Sequence, residues 1–297
     1  MPASIKASDA NALSRTGAIR SIAVIVADTP GDEFAVNTAL VMAKASQATV
    51  ELMQLLYMPV PLIPGLPLVP ESSLREIEYD IREAARVAGQ AIVTRLDANG
   101  LSSHRIPIEA SPGHMEQMTA RVSRRCDLAL IAGPYRSPAE TSTLHGLFAT
   151  LLLESGRPVL VVPSRKVDSE WPRRAVLAWA DTPECARAIN DALPLLKACH
   201  SVELLIVDPR TTLLESAQQV GLDTMQHLAA HGIDAKVHTR KSFDKSTAAT
   251  ILDYVDQTEA DLLVIGGYGH RRLREWIFGG TTREIYLGSR VHTLFAH

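Results

Sequence analysis

Aromatic residues make up only 5% of this chain of 297 residues. A core with so few rings must be mostly aliphatic, and valine, isoleucine, leucine and alanine dominate here as they do in buried parallel sheets. Cysteine is scarce too. Cys126, Cys185 and Cys199 are odd in number, form no Cys-x-x-Cys pair and lack the spacing of a zinc site. A reduced, cytoplasmic protein is the simplest reading. There is no basic excess: the formal net charge is -3, which argues against a general nucleic-acid partner. The short clusters Arg124-Arg125, Arg173-Arg174 and Arg271-Arg272 read as solvated surface. No apolar run approaches the roughly 20 residues that cross a bilayer, so no membrane span is expected. Met1 to Thr16 is small and polar, and reads as a frayed tail rather than a signal peptide.

What is present is an ordinary globular composition, 46% hydrophobic and 21% charged, in a length that suits two domains. The chain also repeats itself. Ser21 to Pro30 and Arg174 to Pro183 are apolar runs with the same Ala-Asp-Thr-Pro ending, and each precedes a helical pattern, Glu33 to Ala45 and Glu184 to Ala198. Cys126 to Gly133 parallels Ala260 to Gly266, and Gly156 to Pro163 parallels Gly288 to Phe295. Matching segments in the same order imply duplication.

Between these segments strands and helices alternate. The first half reads as strand Val50 to Leu56, helix Glu71 to Leu96, strand Ile106 to Glu109, helix Met115 to Arg124, and strands Leu128 to Ile131 and Val159 to Val162. The second reads as strand Val202 to Val207, helix Leu213 to His231 and strand Ala235 to Thr239, then helix Asp244 to Val255, capped by Asp244 or Ser246. Strands Leu262 to Ile265 and Val291 to Phe295 close it. Alternation of this kind gives an α/β fold, two doubly wound sandwiches in tandem, each on a five-stranded parallel sheet. The expected domains are 18–164 and 168–297. Ser164 to Trp171 is the expected linker. Met58 to Ser73, rich in proline and apolar residues, is a loop: a lid, an interaction site, or a segment packed on its own domain.

Open parallel sheets take ligands at the carboxyl ends of their strands, where the winding reverses. The loop after the fourth strand is therefore the place for chemistry. In the second half it runs from Gly266 to Glu284 and holds Gly266, Gly269, Gly279 and Gly280, with His270 beside it and Thr281 and Thr282 at the start of the next helix. Glycines let a phosphate approach main-chain N–H groups, and helix-start donors plus hydroxyls make an anion site, although such loops also serve as plain turns.

The spacing of Gly266, Gly269 and Gly279, followed by Gly280 and the two threonines, resembles the ligand loop of the universal stress proteins, and the resemblance covers nearly the whole chain as a tandem pair of domains. It implies an adenine nucleotide alpha hydrolase-like fold and two halves packed as an intrachain pseudo-dimer with their fifth strands adjacent, further homodimerisation being left open. It also implies a stress-response role and, in some members, ATP bound at this loop, with magnesium. The chain departs from that pattern. The family's aspartate after the first strand falls on Ala27 and Ala180, with Asp28 and Asp181 one residue late. In the first half the loop is Gly133-Pro134-Tyr135-Arg136, with Gly146-Leu147 at its end. Arg136 stands for the middle glycine and Leu147 for the hydroxyl, so this first site reads as degenerate.

No Walker loop, GxGxxG fingerprint or GxSxG elbow is present. His227 and His231 share a helix face but lack a third ligand, so no metal is assigned. Three functions follow: a binding protein for an adenine nucleotide or another phosphorylated small ligand, a scaffold acting through a protein partner, and a slow ATPase, which would need a metal-holding carboxylate that the sequence does not identify.

Overall fold

The computed structural model describes residues 19–59, 70–134, 138–166, 171–208, 214–267 and 280–297, with the side chains of 138–142 and 214–220 left aside. The first half runs β1 (Ser21–Val26), α1 (Asp32–Ser46), β2 (Thr49–Tyr57), α2 (Glu71–Ala98), β3 (Ser103–Ala110), α3 (Met115–Ser123), β4 (Leu128–Ala132), α4 (Pro138–Glu154) and β5 (Val159–Val162). The second runs β6 (Arg174–Trp179), α5 (Pro183–Leu196), β7 (Ser201–Val207), α6 (Leu214–Ala230), β8 (Ala235–Arg240), α7 (Thr247–Gln257), β9 (Leu262–Gly266), α8 (Gly280–Gly288) and β10 (His292–Ala296).

All these strands form one sheet of ten, ordered β3-β2-β1-β4-β5-β10-β9-β6-β7-β8. Each half is a parallel sheet of five, and the halves join edge to edge through the antiparallel pair β5–β10. The join removes two exposed edges that would otherwise invite pairing with other chains. Within each half the winding reverses between the first and fourth strands, β1 and β4 in one, β6 and β9 in the other.

Strand alternation sends side chains to two cores. Val24, Leu130, Leu160, Leu177, Val264 and Leu294 point to one face, under α1, α2, α5 and α6. Ile25, Ile131, Val161, Val176, Ile265 and Phe295 point to the other, under α3, α4, α7 and α8. Both cores run unbroken across the join. On the second face Phe148 of α4 stacks on Tyr286 of α8 at 4.5 Å and meets Phe295 edge-on at 4.9 Å. A cluster of three aromatic rings thus packs where the halves meet.

The β5–β10 register sets Leu160 opposite Leu294. The two are therefore equivalent, and two alignments read from the sequence shift. Val159 corresponds to Thr293 rather than to Val291. The turns before β5 and β10 agree: Ser155 Oγ accepts from the Arg157 N–H as Ser289 Oγ does from that of Val291. Likewise Gly133 corresponds to Gly267, not Gly266: their N–H groups donate to the carbonyls of Val162 and Ala296, at 2.7 and 2.8 Å. Sequence matching aligned glycine with glycine, whereas pairing in the sheet aligns hydrogen bonds.

β3 is longer than its hydrophobic core suggested because it is an outer strand. Ser103 to Arg105 pair with β2 on one side only, and Pro107 is tolerated there. Ser246, not Asp244, caps α7, accepting from the Ala249 N–H at 3.1 Å. Among the described residues no helix is long and apolar enough to cross a membrane.

Candidate functional site

A cleft of about 300 Å³ opens at the carboxyl edge of the second half, over the reversal between β6 and β9. Strand ends supply Trp179, Val207, Ile265 and Gly266. Three helices start at the cleft and supply Thr182 and Cys185, Thr247, and Gly280 to Thr282. Each start has a local cause. Thr182 caps α5, its hydroxyl accepting from the Cys185 N–H at 3.3 Å, with Pro183 at the first helical position. Ser246 caps α7 and also donates to Glu284 Oε2 at 2.6 Å, which ties the start of α7 to the first turns of α8. Helix N-termini carry unpaired N–H donors and partial positive charge. Three of them with threonine hydroxyls make an acceptor-seeking site. No described residue of its lining is ionised at neutral pH, so what it offers an anion is donors, not formal charge.

Of the predicted site residues, Gly266, Gly280, Thr281, Thr282 and Ala180 line this cleft. Asp181 is exposed and is not part of the lining. Gly269, His270 and Gly279 lie outside the described residues, as does Arg136 of the first half. Sequence reasoning missed Thr182, Cys185 and Thr247. Thr182 stands in the repeated Ala-Asp-Thr-Pro, and its threonine before proline is the local signal of a helix cap in the second half.

Gly266 has a second reason to be glycine. A Cβ there would lie 2.6 Å from the Cys185 nitrogen and 2.7 Å from the Glu184 carbonyl carbon. The start of α5 therefore rests directly on the end of β9. The first half solves the same crowding from the other side. Its strand ends in Ala132, the equivalent of Gly266, and its helix offers Gly31, the equivalent of Glu184. A Cβ on Gly31 would come within 2.7 Å of Ala132 Cβ.

The first half differs further. Asp32 takes the place of Cys185 and is buried. Its carboxylate accepts from the Ala27 N–H (2.9 Å), the Thr29 N–H (3.0 Å) and the Thr29 hydroxyl (2.7 Å). Burial raises its pKa and these hydrogen bonds pull it back down, the net being upward. The donors that could face a ligand are thus satisfied internally. Asp28 is exposed, in the left-handed region at φ 59°. Gly146 lies within α4.

Elsewhere, the His227 and His231 rings pack edge-on at 4.8 Å, and His227 Nε2 lies 3.2 Å from Asn190 Oδ1. Among the described residues no group of three or more His, Cys, Asp or Glu is placed to hold a metal. Burial pushes the thiols of Cys126 and Cys199 up to about 11 and about 12, so neither is a nucleophile near neutral pH.

Comparison with known proteins accords with this geometry. The universal stress protein family model matches residues 167–296. A universal stress protein from Archaeoglobus fulgidus superposes with a TM-score of 0.69 at 16% identity, over 93% of this chain and 95% of its own. A Pseudomonas aeruginosa protein described as a candidate member of the family gives 0.60 at 16% identity, over 94% of each chain. Another from that organism, of unknown function, gives 0.58 at 14% identity, over 96% of this chain and 94% of its own. At such identities the likeness establishes a shared fold. No curated protein matches the chain. Residues 167–296 thus match the universal stress protein family model, and nearly the whole chain shares the fold of these solved structures.

Proposed function

We propose that this chain, whose second half is a universal stress protein domain, is a stress-response protein that binds a phosphorylated small ligand in the cleft between β6 and β9. An adenine nucleotide is the leading candidate. The observation that carries the reading is the convergence of three helix N-termini and the hydroxyls of Thr182, Thr247, Thr281 and Thr282 on one cleft at the winding reversal. Its size lies at the small end of ligand pockets, enough for part of a nucleotide. Magnesium, if bound with ATP, would ride on the phosphates, because no described lining residue is a carboxylate. The same absence of a metal-holding or proton-accepting group favours binding without efficient turnover. The domain limits we assign are 18–164 and 168–297. All three cysteines are free, which suits the cytoplasm.

Calorimetric titration with ATP and magnesium tests the reading. The wild type should bind about one ATP per chain, and Gly280→Glu should lose most of the affinity. Among the described residues a Cβ at position 280 meets only Glu284 Oε1, at an ordinary contact distance of 3.7 Å, so that variant should fold. Equal binding by both proteins would show that ATP goes elsewhere.

One observation favours a second reading, a scaffold for a protein partner. Of the 28 residues of α2 only Gly89 and Leu96 are buried, and Ile77, Tyr79 and Val87 are 45%, 66% and 56% exposed. Apolar side chains exposed along a surface helix are what a partner's contact surface would cover.

A further inference from the structure

His227, in the last turn of α6, and His231, one turn further on, are both exposed, and their ring centres lie 4.8 Å apart. Side chains at this spacing share one face of a helix. They stand away from the cleft of the proposed function, which opens at the N-terminal ends of α5, α7 and α8. Among the described residues no further His, Cys, Asp or Glu joins them to make a set of three. A closed, structural centre is therefore not formed, but two imidazoles one turn apart are enough to chelate a divalent transition ion, with water in its other positions.

What sets this pair apart from two surface histidines is Asn190 of α5. Its Nδ2 donates to the Ala186 carbonyl at 3.0 Å, and its Oδ1 lies 3.2 Å from His227 Nε2. A carbonyl oxygen only accepts, so the amide atom beside Ala186 is the nitrogen and the one beside His227 is the oxygen. That oxygen also only accepts. His227 Nε2 must therefore carry the proton, and in the neutral ring the lone pair is on Nδ1. Histidines that bind metals are commonly held in this way, one ring nitrogen donating to the protein while the other takes the ion. The bond also holds the His227 ring in place before any ion arrives.

Distance and charge agree. Two imidazoles bound at about 2.1 Å to one ion, at an angle between about 90° and tetrahedral, place their ring centres about 4.5–5 Å apart. The separation here is 4.8 Å, with the rings inclined at 67°. His231 is exposed, so its ring can turn a lone pair to the ion while Asn190 holds His227. α6 has no lysine or arginine, and Asp223 stands one turn before His227. On α5 the cation next to Asn190, Arg187, is paired with Asp191 at 3.9 Å.

We propose that His227 and His231 form a surface site for a divalent transition ion of the nickel, copper and zinc group, with Asn190 as the residue that positions His227.

The test is calorimetric titration of the untagged full chain with nickel chloride alone. The tightest class of site should fill once per chain. His231→Ala, at an exposed position, removes one of the two ligands and should weaken that binding at least about tenfold, since the loss of a mere orienting partner costs about 10–100-fold in metal affinity. Asn190→Ala keeps both imidazoles and should still weaken binding about tenfold. Asn190→Asp restores an acceptor for His227 and should bind nickel at least as tightly as the wild type. Circular dichroism checks that each variant folds. The cleft variant Gly280→Glu should bind nickel as the wild type does, which separates this site from the cleft. No nickel binding, or equal binding by the wild type and His231→Ala, would overturn the proposal. Equal binding by the wild type and Asn190→Ala would overturn the role given to Asn190.

Discussion

Asp127 and Asp261 make the same hydrogen bonds in the two halves. The Asp127 carboxylate accepts from the N–H groups of Arg20 and Ser21 at 2.8 and 3.0 Å, and that of Asp261 from those of Arg173 and Arg174, both at 3.0 Å. Each aspartate precedes the fourth strand of its half and holds the start of the first strand beside it. Replacing either by alanine leaves two backbone donors without that partner, at a cost of about 1–2 kcal/mol. Urea unfolding should show a similar loss for Asp127→Ala and Asp261→Ala. A loss confined to one half would mean the repeat is one of fold only.

The displaced glycines give a sharper test. Gly31→Ala should destabilise by about 1–3 kcal/mol, because its new methyl meets that of Ala132 in a closely packed contact. Adding Ala132→Gly should recover much of the loss by recreating the arrangement of the second half. Gly266→Ala should cost more than Gly31→Ala, because it meets the backbone of Glu184 and Cys185, which cannot rotate away. Additive effects of Gly31→Ala and Ala132→Gly in thermal melts would contradict the crowding argument.

His292 makes stability depend on pH. It is fully buried at the join, with Nε2 3.1 Å from the Thr38 hydroxyl and its ring 4.5 Å from Trp171. Burial foremost, and then the Arg165 charge, push its pKa from 6.5 down to about 3. The folded state therefore holds it neutral while the unfolded chain takes up a proton below pH 6.5. Its contribution is intact above pH 6.5 and is lost as the pH falls toward 3. The expected slope from this group approaches about 1.4 kcal/mol per pH unit. His292→Gln should flatten the decline in unfolding free energy between pH 6 and pH 5 by nearly that amount, a window set by the same depressed pKa. An unchanged slope would place the acid sensitivity elsewhere.

Much of this was legible in the sequence, for physical reasons. The repeat of Ala-Asp-Thr-Pro and the apolar runs before it reported the first strand of each half and the turn that ends it, since both follow from local chemistry. The adjacency of the fifth strands came from family resemblance and not from periodicity. The exchange between Gly31 and Gly266 was invisible, because the need for a small residue belongs to a contact and either partner can meet it. Asp32 was missed for a similar reason: nothing local shows that its carboxylate turns back to the Ala27 N–H.

The central claim is that the second-half cleft holds a phosphorylated ligand. Mass spectrometry of small molecules released from the purified native protein, run beside Gly280→Glu, tests it most directly. The account predicts ATP, ADP or another phosphorylated metabolite near one per chain in the wild type, and its loss from the variant. An empty wild-type protein that also fails to take up added ATP would contradict it.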